Sequence, residues 1–246
     1  MHAVRAILGL IPLTFVMAEK RIIVAIDGPA GAGKSTLARR VAEKLGFVYV
    51  NTGSMYRAVA LWALRTKIAL SDMHKLEQLA QAAQIELSSG DDRVFLNGED
   101  VTEAIRTPEV SAAASQVSMV PGVRRALLSV QRSIAKNNSV VMEGRDIGSV
   151  VFPQAQIKVF LDADPAERAR RRALESSQSG AIGDMSSIAG ELRVRDTRDQ
   201  TRAEAPLVQA PDAHLIDSTR LSLEEVEEKV LSIVRARTSN GKAAAH

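Results

Sequence analysis

The residues with the clearest chemistry are Gly28-Pro29-Ala30-Gly31-Ala32-Gly33-Lys34-Ser35, which fit the pattern G-x-x-x-x-G-K-[ST]. The pattern carries meaning in one context, directly after a strand and opening a helix. Glycines remove the Cβ barrier, so successive backbone N–H groups can turn inward around phosphate oxygens. The helix that begins at Lys34 adds its positive dipole end. Lys34 is expected to reach the β- and γ-phosphates of a nucleoside triphosphate, and the Ser35 hydroxyl to ligate Mg²⁺. With Thr36 next along the helix, residues 28–36 make the expected ATP-binding segment. The motif leaves the phosphate acceptor open.

A second group of chemically capable residues lies between Pro165 and Arg202. It holds Arg168, Arg170, Arg171, Arg172, Arg193, Arg195, Arg198 and Arg202, with no lysine, among Glu167, Glu175, Asp184, Glu191, Asp196 and Asp199. An arm that neutralises a long polyanion would be basic without that compensation. Guanidinium groups beside carboxylates suit bidentate capture of small phosphates. An exposed helix laced with ion pairs is the plainer alternative for the same stretch.

These residues need a scaffold. Arg21 to Ile26 is a short apolar run of β-branched type, suited to a strand buried on both faces of a parallel sheet. A helical pattern from Lys34 to Leu45 ends at Gly46, and Phe47 to Val50 and Gly53 to Arg65 read as strand and helix. This opening predicts an α/β fold, a P-loop NTPase-type parallel sheet flanked by helices. Residues 71–106 change character. A helix over Lys75 to Ala83 is followed by short strands at Ile85 to Leu87 and Arg93 to Leu96, and Asn97-Gly98 is a two-residue turn. They read as a small α+β insertion. Helices follow at Pro108 to Val117 and Pro121 to Lys136, strands at Ser139 to Met142 and Ile157 to Leu161, and a helix from Pro165 to Ser176. Gln178 to Ser187, rich in Gly and Ser, reads as a mobile link before a helix over Glu191 to Arg202. The last strand is Ala213 to Ile216, and Leu223 to Arg235 closes the fold as an amphipathic helix.

Composition narrows the function classes. Basic residues number 32 and acidic residues 29, a net charge of +3, and aromatics make up only 3% of the chain. So few aromatic faces argue against a stacking platform for single-stranded nucleic acid. With no cysteine there are no disulfides or thiolate metal sites, which suits the cytoplasm. The four histidines are scattered, which disfavours a transition-metal site. Trp62 sits in an apolar helical pattern and is assigned to the core. The apolar run Ala6 to Val16 is about 11 residues, short of the roughly 20 that span a bilayer, and Pro12 and Thr14 interrupt it. Residues 1–16 are therefore expected to be a disordered extension or a misplaced start before Met17, and a chain starting at Met17 that lost folding or activity would refute this. Residues 17–237 form the expected catalytic domain and 238–246 a disordered tail.

Beyond the phosphate loop, the chain resembles the nucleoside monophosphate kinases and, among them, the bacterial cytidylate kinases, from Lys20 to Arg235. The carriers are Ile26-Asp27-Gly28-Pro29, Asn51-Thr52-Gly53-Ser54-Met55-Tyr56-Arg57, Ile105-Arg106-Thr107-Pro108-Glu109-Val110, Ala114-Ser115-Gln116-Val117, Gly144-Arg145-Asp146-Ile147-Gly148, Arg195-Asp196-Thr197-Arg198-Asp199-Gln200-Thr201-Arg202, Val151-Phe152-Pro153 and Asp217-Ser218-Thr219. The resemblance implies transfer of the γ-phosphate of ATP to CMP or dCMP with Mg²⁺, by a monomer that uses neither nucleic acid nor membrane. It implies that the insertion at 71–106 is the monophosphate-binding region, that 165–202 is a lid, and that Arg168, Arg171 and Arg172 lie over ATP, with Arg171 binding it. Thr52, Tyr56, Arg57 and Arg145 would hold the acceptor, the two arginines on its phosphate. Arg195 and Asp199 would meet the ribose and Arg202 the transferring phosphate. Ser115, Arg124 and Asp146 would face cytosine. Lys34, Arg145, Arg195 and Arg202 would be catalytic. Asn51 departs from the aspartate common at that position in the family, keeping hydrogen-bonding capacity but losing a charge.

The chemistry of such a transfer agrees with the residue types. A nucleoside monophosphate is a nucleophile near neutral pH, because its second phosphate pKa is about 6. No Ser–His pair or other general base is required. Two polyanions must be held in line and their charge neutralised. The alternatives are a kinase of the same fold acting on UMP, shikimate or dephospho-coenzyme A, and a nucleotide-dependent switch or nucleic-acid-binding protein with slow hydrolysis.

Overall fold

The structure, a computed structural model, describes residues 21–88, 92–178 and 184–243. The expected start-site extension, residues 179–183 of the Gly/Ser-rich link and residues 244–246 lie outside it.

Five parallel strands form the central sheet: β1 (Ile23–Asp27), β2 (Val48–Asn51), β6 (Val140–Gly144), β7 (Ile157–Asp162) and β8 (His214–Asp217), in the order β2-β6-β1-β7-β8. Alternate residues of β1 serve opposite cores. Ala25 joins one cluster, while Val24 and Ile26 join the other, and all three are fully buried. Burial on both faces is what selects a continuous β-branched run over an alternating one. On one face α1 (Lys34–Leu45) and α8 (Leu223–Ala243) cover the sheet; α2 (Thr52–Arg65), α4 (Pro108–Val117) and α5 (Pro121–Ile134) build the other core. Trp62 packs against that second core, as expected.

The chain leaves β1 for the far edge at β2, fills the gap with β6 and then crosses to β7. A reversal of this kind opens a crevice at the carboxyl ends of the central strands, where doubly wound sheets bind ligands. The turn Gly28–Gly33 stands in that crevice.

The insertion consists of α3 (Met73–Ala82), β3 (Ile85–Leu87), β4 (Val94–Leu96) and β5 (Glu99–Asp100), a three-stranded antiparallel sheet. Asn97 and Gly98 take φ of 52° and 82°, a left-handed pair that matches hairpin twist. A 3₁₀ turn, Ala104–Arg106, returns the chain to α4.

Two expectations are corrected. Helix α7 (Met185–Thr201) starts six residues earlier than the Glu191 expected, because Asp184 caps it by accepting from the Ser187 N–H. It follows α6 (Pro165–Gln178). Helix α8 continues through Ala243, past the tail expected from residue 238. No proline stops it, and the Thr238 hydroxyl donates to the carbonyls of Val234 and Arg235 at 3.0 and 3.1 Å. Each added residue then fixes only its own backbone for a further hydrogen bond.

Candidate active site

At the end of β1 the backbone turns sharply enough that Gly28 takes φ of 147°, and a Cβ there would lie 1.9 Å from the Leu161 carbonyl oxygen. Only glycine permits the phosphate loop to pass this close to β7. Lys34 follows at the first position of α1, buried, with Nζ donating to the Pro29 carbonyl at 2.5 Å. Burial first, then the Arg145 guanidinium, lower its pKa to about 7. The first N–H groups of α1 have no acceptor within the helix and face the crevice.

The crevice is a cleft of about 880 Å³, lined by Ala30, Gly31 and Gly33 to Thr36 of the phosphate loop, by Asn51 and Arg57 of the β2–α2 corner, by Glu143 and Arg145, by Arg172 and Arg195 of the α6–α7 region, and by insertion residues including Arg106. Adjoining it is a pocket of about 50 Å³, lined by Thr52, Tyr56, Ser115, Arg124, Arg145, Asp146, Arg195, Asp199 and Arg202. The residues expected at the acceptor thus come together from α2, α4, α5, α7 and the loop after β6, all but Arg57 in the small pocket. Arg145 and Arg195 line both spaces.

The small pocket is crossed by ion pairs. Asp146 accepts from Arg124 Nη2 at 2.5 Å and stands 3.5 Å from Arg202 Nη2. It does not pair with its neighbour Arg145, which instead donates to Asp199 at 2.8 Å. Asp199 is also 3.6 Å from Arg202. Arg124 lies over the Tyr56 ring, 5.5 Å from its centroid. Two buried polar atoms here, Ser115 Oγ and Arg202 Nη2, lack a hydrogen-bond partner among the described residues. Buried groups in this condition are uncommon and point to a ligand that completes them.

The electrostatics are uneven. Burial, then repulsion from Arg145, lowers the Arg195 pKa to about 10. Burial lowers that of Arg57 too, and burial with the Arg124 charge lowers that of Arg202. Burial pushes Asp199 up, but Arg145 and Arg195 outweigh it and hold the carboxyl below its usual range. The junction of the two spaces therefore carries more buried positive charge than its carboxylates balance, and it can bind polyanions.

Of the three arginines expected over ATP, two sit differently. Arg168 is buried against the phosphate loop. It donates to the Ala30 carbonyl at 3.1 Å and to Asp196 at 2.5 Å, while Asp196 accepts from the Ala30 N–H at 3.3 Å. Arg171 donates to the Ala32 carbonyl and to Ser218, and lines neither space. Arg172 alone of the three lines the cleft. Burying the apolar cluster Ala30, Ala169, Ile188 and Leu192 draws α6 and α7 onto the loop, and the first two arginines become its supports. Asn51 caps α2, its side chain accepting from the Ser54 N–H at 3.2 Å, so the amide retains the polar role available at that corner.

Glu143 was not foreseen. It is the next-to-last residue of β6, in register with Ile26, is buried, accepts from Tyr49 Oη at 2.7 Å and lines the cleft beside Lys34 and Ser35. The sequence signal was a carboxylate near the end of an otherwise apolar strand. Ser35 and Glu143 offer a hydroxyl and a carboxylate to the same space, hard oxygen donors that suit Mg²⁺. No group of three or more metal-ligating side chains occurs among the described residues. A cation bound mainly through substrate phosphates and water needs none.

Residues 24–236 match the sequence model of the family described as cytidylate kinase. The chain belongs to the cytidylate kinase family. It is 60% identical to a cytidylate kinase of Solibacter usitatus (strain Ellin6076) over 91% of this chain and 97% of that protein. Identity is 51% with a cytidylate kinase of Pelotomaculum thermopropionicum, over 89% and 96% of the two chains. It is 45% with one of Pasteurella multocida, over 88% and 96%. The chain is a kinase, an enzyme of phosphoryl transfer. No helix among the described residues is long and apolar enough to cross a membrane.

Proposed function

We propose that this enzyme transfers the γ-phosphate of ATP to CMP or dCMP, giving CDP or dCDP. The observation that carries the reading is the excess of buried cations where the two spaces meet, with Arg145 and Arg195 lining both. An in-line transfer requires a donor and an acceptor phosphate side by side under shared positive charge.

ATP lies in the cleft with its phosphates on the N–H groups of Gly31–Ser35, and Lys34 neutralises the γ-phosphoryl group as it moves. The monophosphate lies across the junction of the two spaces, with its base toward the small pocket. Its phosphate dianion takes over Arg57 and Arg145, so that no general base is called for. Arg195 and Asp199 meet the ribose, and Arg202 turns to the transferring group. Asp146 accepts from the exocyclic amine of cytosine; uracil would present a carbonyl there and be repelled. Ser115 Oγ and Arg124 supply the remaining contacts to the base. Ser35 and Glu143 would hold Mg²⁺, which when bound neutralises charge on the donor phosphates. Residues 165–202 act as the lid, with Arg172 as the lid arginine over ATP, and residues 71–106 as the monophosphate-binding insertion within a catalytic domain spanning 17–237. We place the enzyme in the cytoplasm as a monomer.

The test is a coupled ADP-release assay with ATP and Mg²⁺, offering CMP, dCMP, UMP, AMP, GMP and shikimate separately. Turnover is expected with CMP and dCMP and little with the rest. A preference for another acceptor overturns the base-reading assignment, and silence across the panel overturns the transfer itself.

A further inference from the structure

Asp27 is a buried carboxylate that the proposed mechanism leaves without a task. It ends β1 immediately before Gly28 and is 5% exposed. Both of its oxygens are committed. Oδ1 accepts from the Ile147 N–H at 2.8 Å and Oδ2 from the Gly148 N–H at 2.7 Å. Those are the first two amides after Asp146, at the start of a single π-helical turn, Ile147–Val151. The turn hangs from Asp146, whose carbonyl accepts from Val150 and Val151. Its far end is also held. Arg132 of α5 donates from Nε to the Val151 carbonyl and from Nη2 to the Val150 carbonyl, both at 3.0 Å. A carboxylate on the leading amides and a guanidinium on the trailing carbonyls is the arrangement that complements a helical dipole at its two ends.

The connection matters because of what lies on either side of it. The residue before Gly28 carries the donor cradle, and the two residues before Ile147 are Arg145 and Asp146, which line the acceptor pocket. Strand pairing aligns Asp27 with Gly144, but pairing leaves the loop beyond Gly144 free to swing. The two carboxylate bonds remove that freedom. Burial raises the Asp27 pKa to about 6, so its ionised form is disfavoured by folding into this place. A residue kept there for packing alone would not need to be charged.

We propose that Asp27 is a positioning residue for the acceptor. With Arg132 it anchors the turn that follows Asp146, and so fixes Asp146 and Arg145 relative to the phosphate loop. This inference rests on the assignment of Asp146 as the group that reads the base. Asp27→Asn keeps the volume but retains only one acceptor oxygen, so one of the two amides loses its partner. The kinetic signature is specific: the loop carrying the base reader loosens while the nucleotide cradle stays.

The experiment compares wild type, Asp27→Asn, Asp146→Asn and the double variant by kcat/KM for CMP and for UMP and by KM for ATP. Asp27→Asn is expected to narrow the CMP-over-UMP ratio about tenfold while KM for ATP stays within about twofold. In the Asp146→Asn background the same change should narrow the ratio no further, because the two residues act on one contact. A variant with lowered thermal stability but an unchanged ratio overturns the proposal, as does an effect that adds in full to that of Asp146→Asn. If Asp27→Asn does not yield folded protein, Arg132→Met releases the other end of the same turn from an exposed position, and an unchanged ratio there overturns it equally. A wild-type enzyme inactive on CMP would instead strike at the transfer reaction. One that fails to distinguish CMP from UMP would strike at the base-reading role, and the split between KM for CMP and KM for ATP would then decide the positioning role.

Discussion

Nucleotide binding should draw a proton from solution, and Lys34 is the group that takes it. The Lys34 ammonium is buried and donates to the Pro29 carbonyl, and burial together with Arg145 lowers its pKa to about 7. A triphosphate seated on the phosphate loop places several negative charges on Nζ, which restores the ordinary lysine value of about 10.4 or more. At pH 8 a group with a pKa of about 7 is roughly one-tenth protonated, so saturation with ATP should take up about 0.9 proton per site; at pH 7 the figure is about 0.5, and at pH 6 about 0.1. The phosphates contribute little at pH 8, being already ionised with a pKa near 6. The sign is that of a base with a depressed folded pKa. The folded, nucleotide-free enzyme binds fewer protons than the unfolded chain between about pH 7 and 10, so its stability rises with pH across that window. Calorimetric titration of ATP with Mg²⁺ at pH 8, repeated in buffers of different ionisation enthalpy, measures the uptake as the slope of observed heat against buffer enthalpy. A slope near zero for the wild type would refute the reasoning, and so would a slope that persists in Lys34→Met.

Three further outcomes follow from the same geometry. Lys34→Ala should lower kcat by at least about 100-fold without lowering the melting temperature, since it removes charge stabilisation and relieves an unfavourable burial; steady-state kinetics beside a thermal melt checks both halves. Gly28→Ala drives a Cβ to 1.9 Å from the Leu161 carbonyl oxygen at φ of 147°, and should cost more than about 3 kcal/mol in urea unfolding or prevent folding. Asp196→Asn leaves the buried Arg168 guanidinium without its counter-charge and should cost about 3 kcal/mol by the same measurement.

What could be read from sequence divides along range. The phosphate loop is local chemistry: eight adjacent residues between a strand and a helix, and the helix from Lys34 to Leu45 runs as its pattern states. The inner strands of the parallel sheet, β1, β6 and β7, were legible because each is built on a short apolar run. The small pocket proposed for the acceptor was legible only as a set of residue types carried by resemblance, because it is built from partners far apart in the chain. Arg145 meets Asp199 across 54 residues, and Asp27 meets Ile147 across 120. No local pattern encodes such pairs. The same limit explains Arg168, whose spacing on α6 resembles that of a lid arginine but whose partner Asp196 lies a helix away. The early start of α7 is a different failure. Asp184 is a good capping residue, yet its signal stood inside a Gly/Ser-rich stretch that reads as a loop.

The arginines of this enzyme fall into two classes by the company they keep. Arg168 and Arg171 are matched by carboxylates and backbone carbonyls, and they fasten α6 and α7 to the back of the phosphate loop. Arg124, which the proposed function puts on the base side of the acceptor pocket, suffers a burial penalty, but Tyr56 and Asp146 outweigh it and raise its pKa. Its charge is already balanced before any ligand arrives. Arg57, Arg195 and Arg202 are the reverse, each with its pKa lowered by burial and then, for Arg195 and Arg202, by another arginine. The base side of the pocket thus needs only an exchange of hydrogen bonds, with Asp146 giving up part of its hold on Arg124 to accept from the base. The phosphate side lacks negative charge that only a ligand can supply. On the proposed assignment, that asymmetry would orient the acceptor with its phosphate toward Lys34 and its base toward Asp146, and it follows from which guanidinium groups the fold leaves uncompensated.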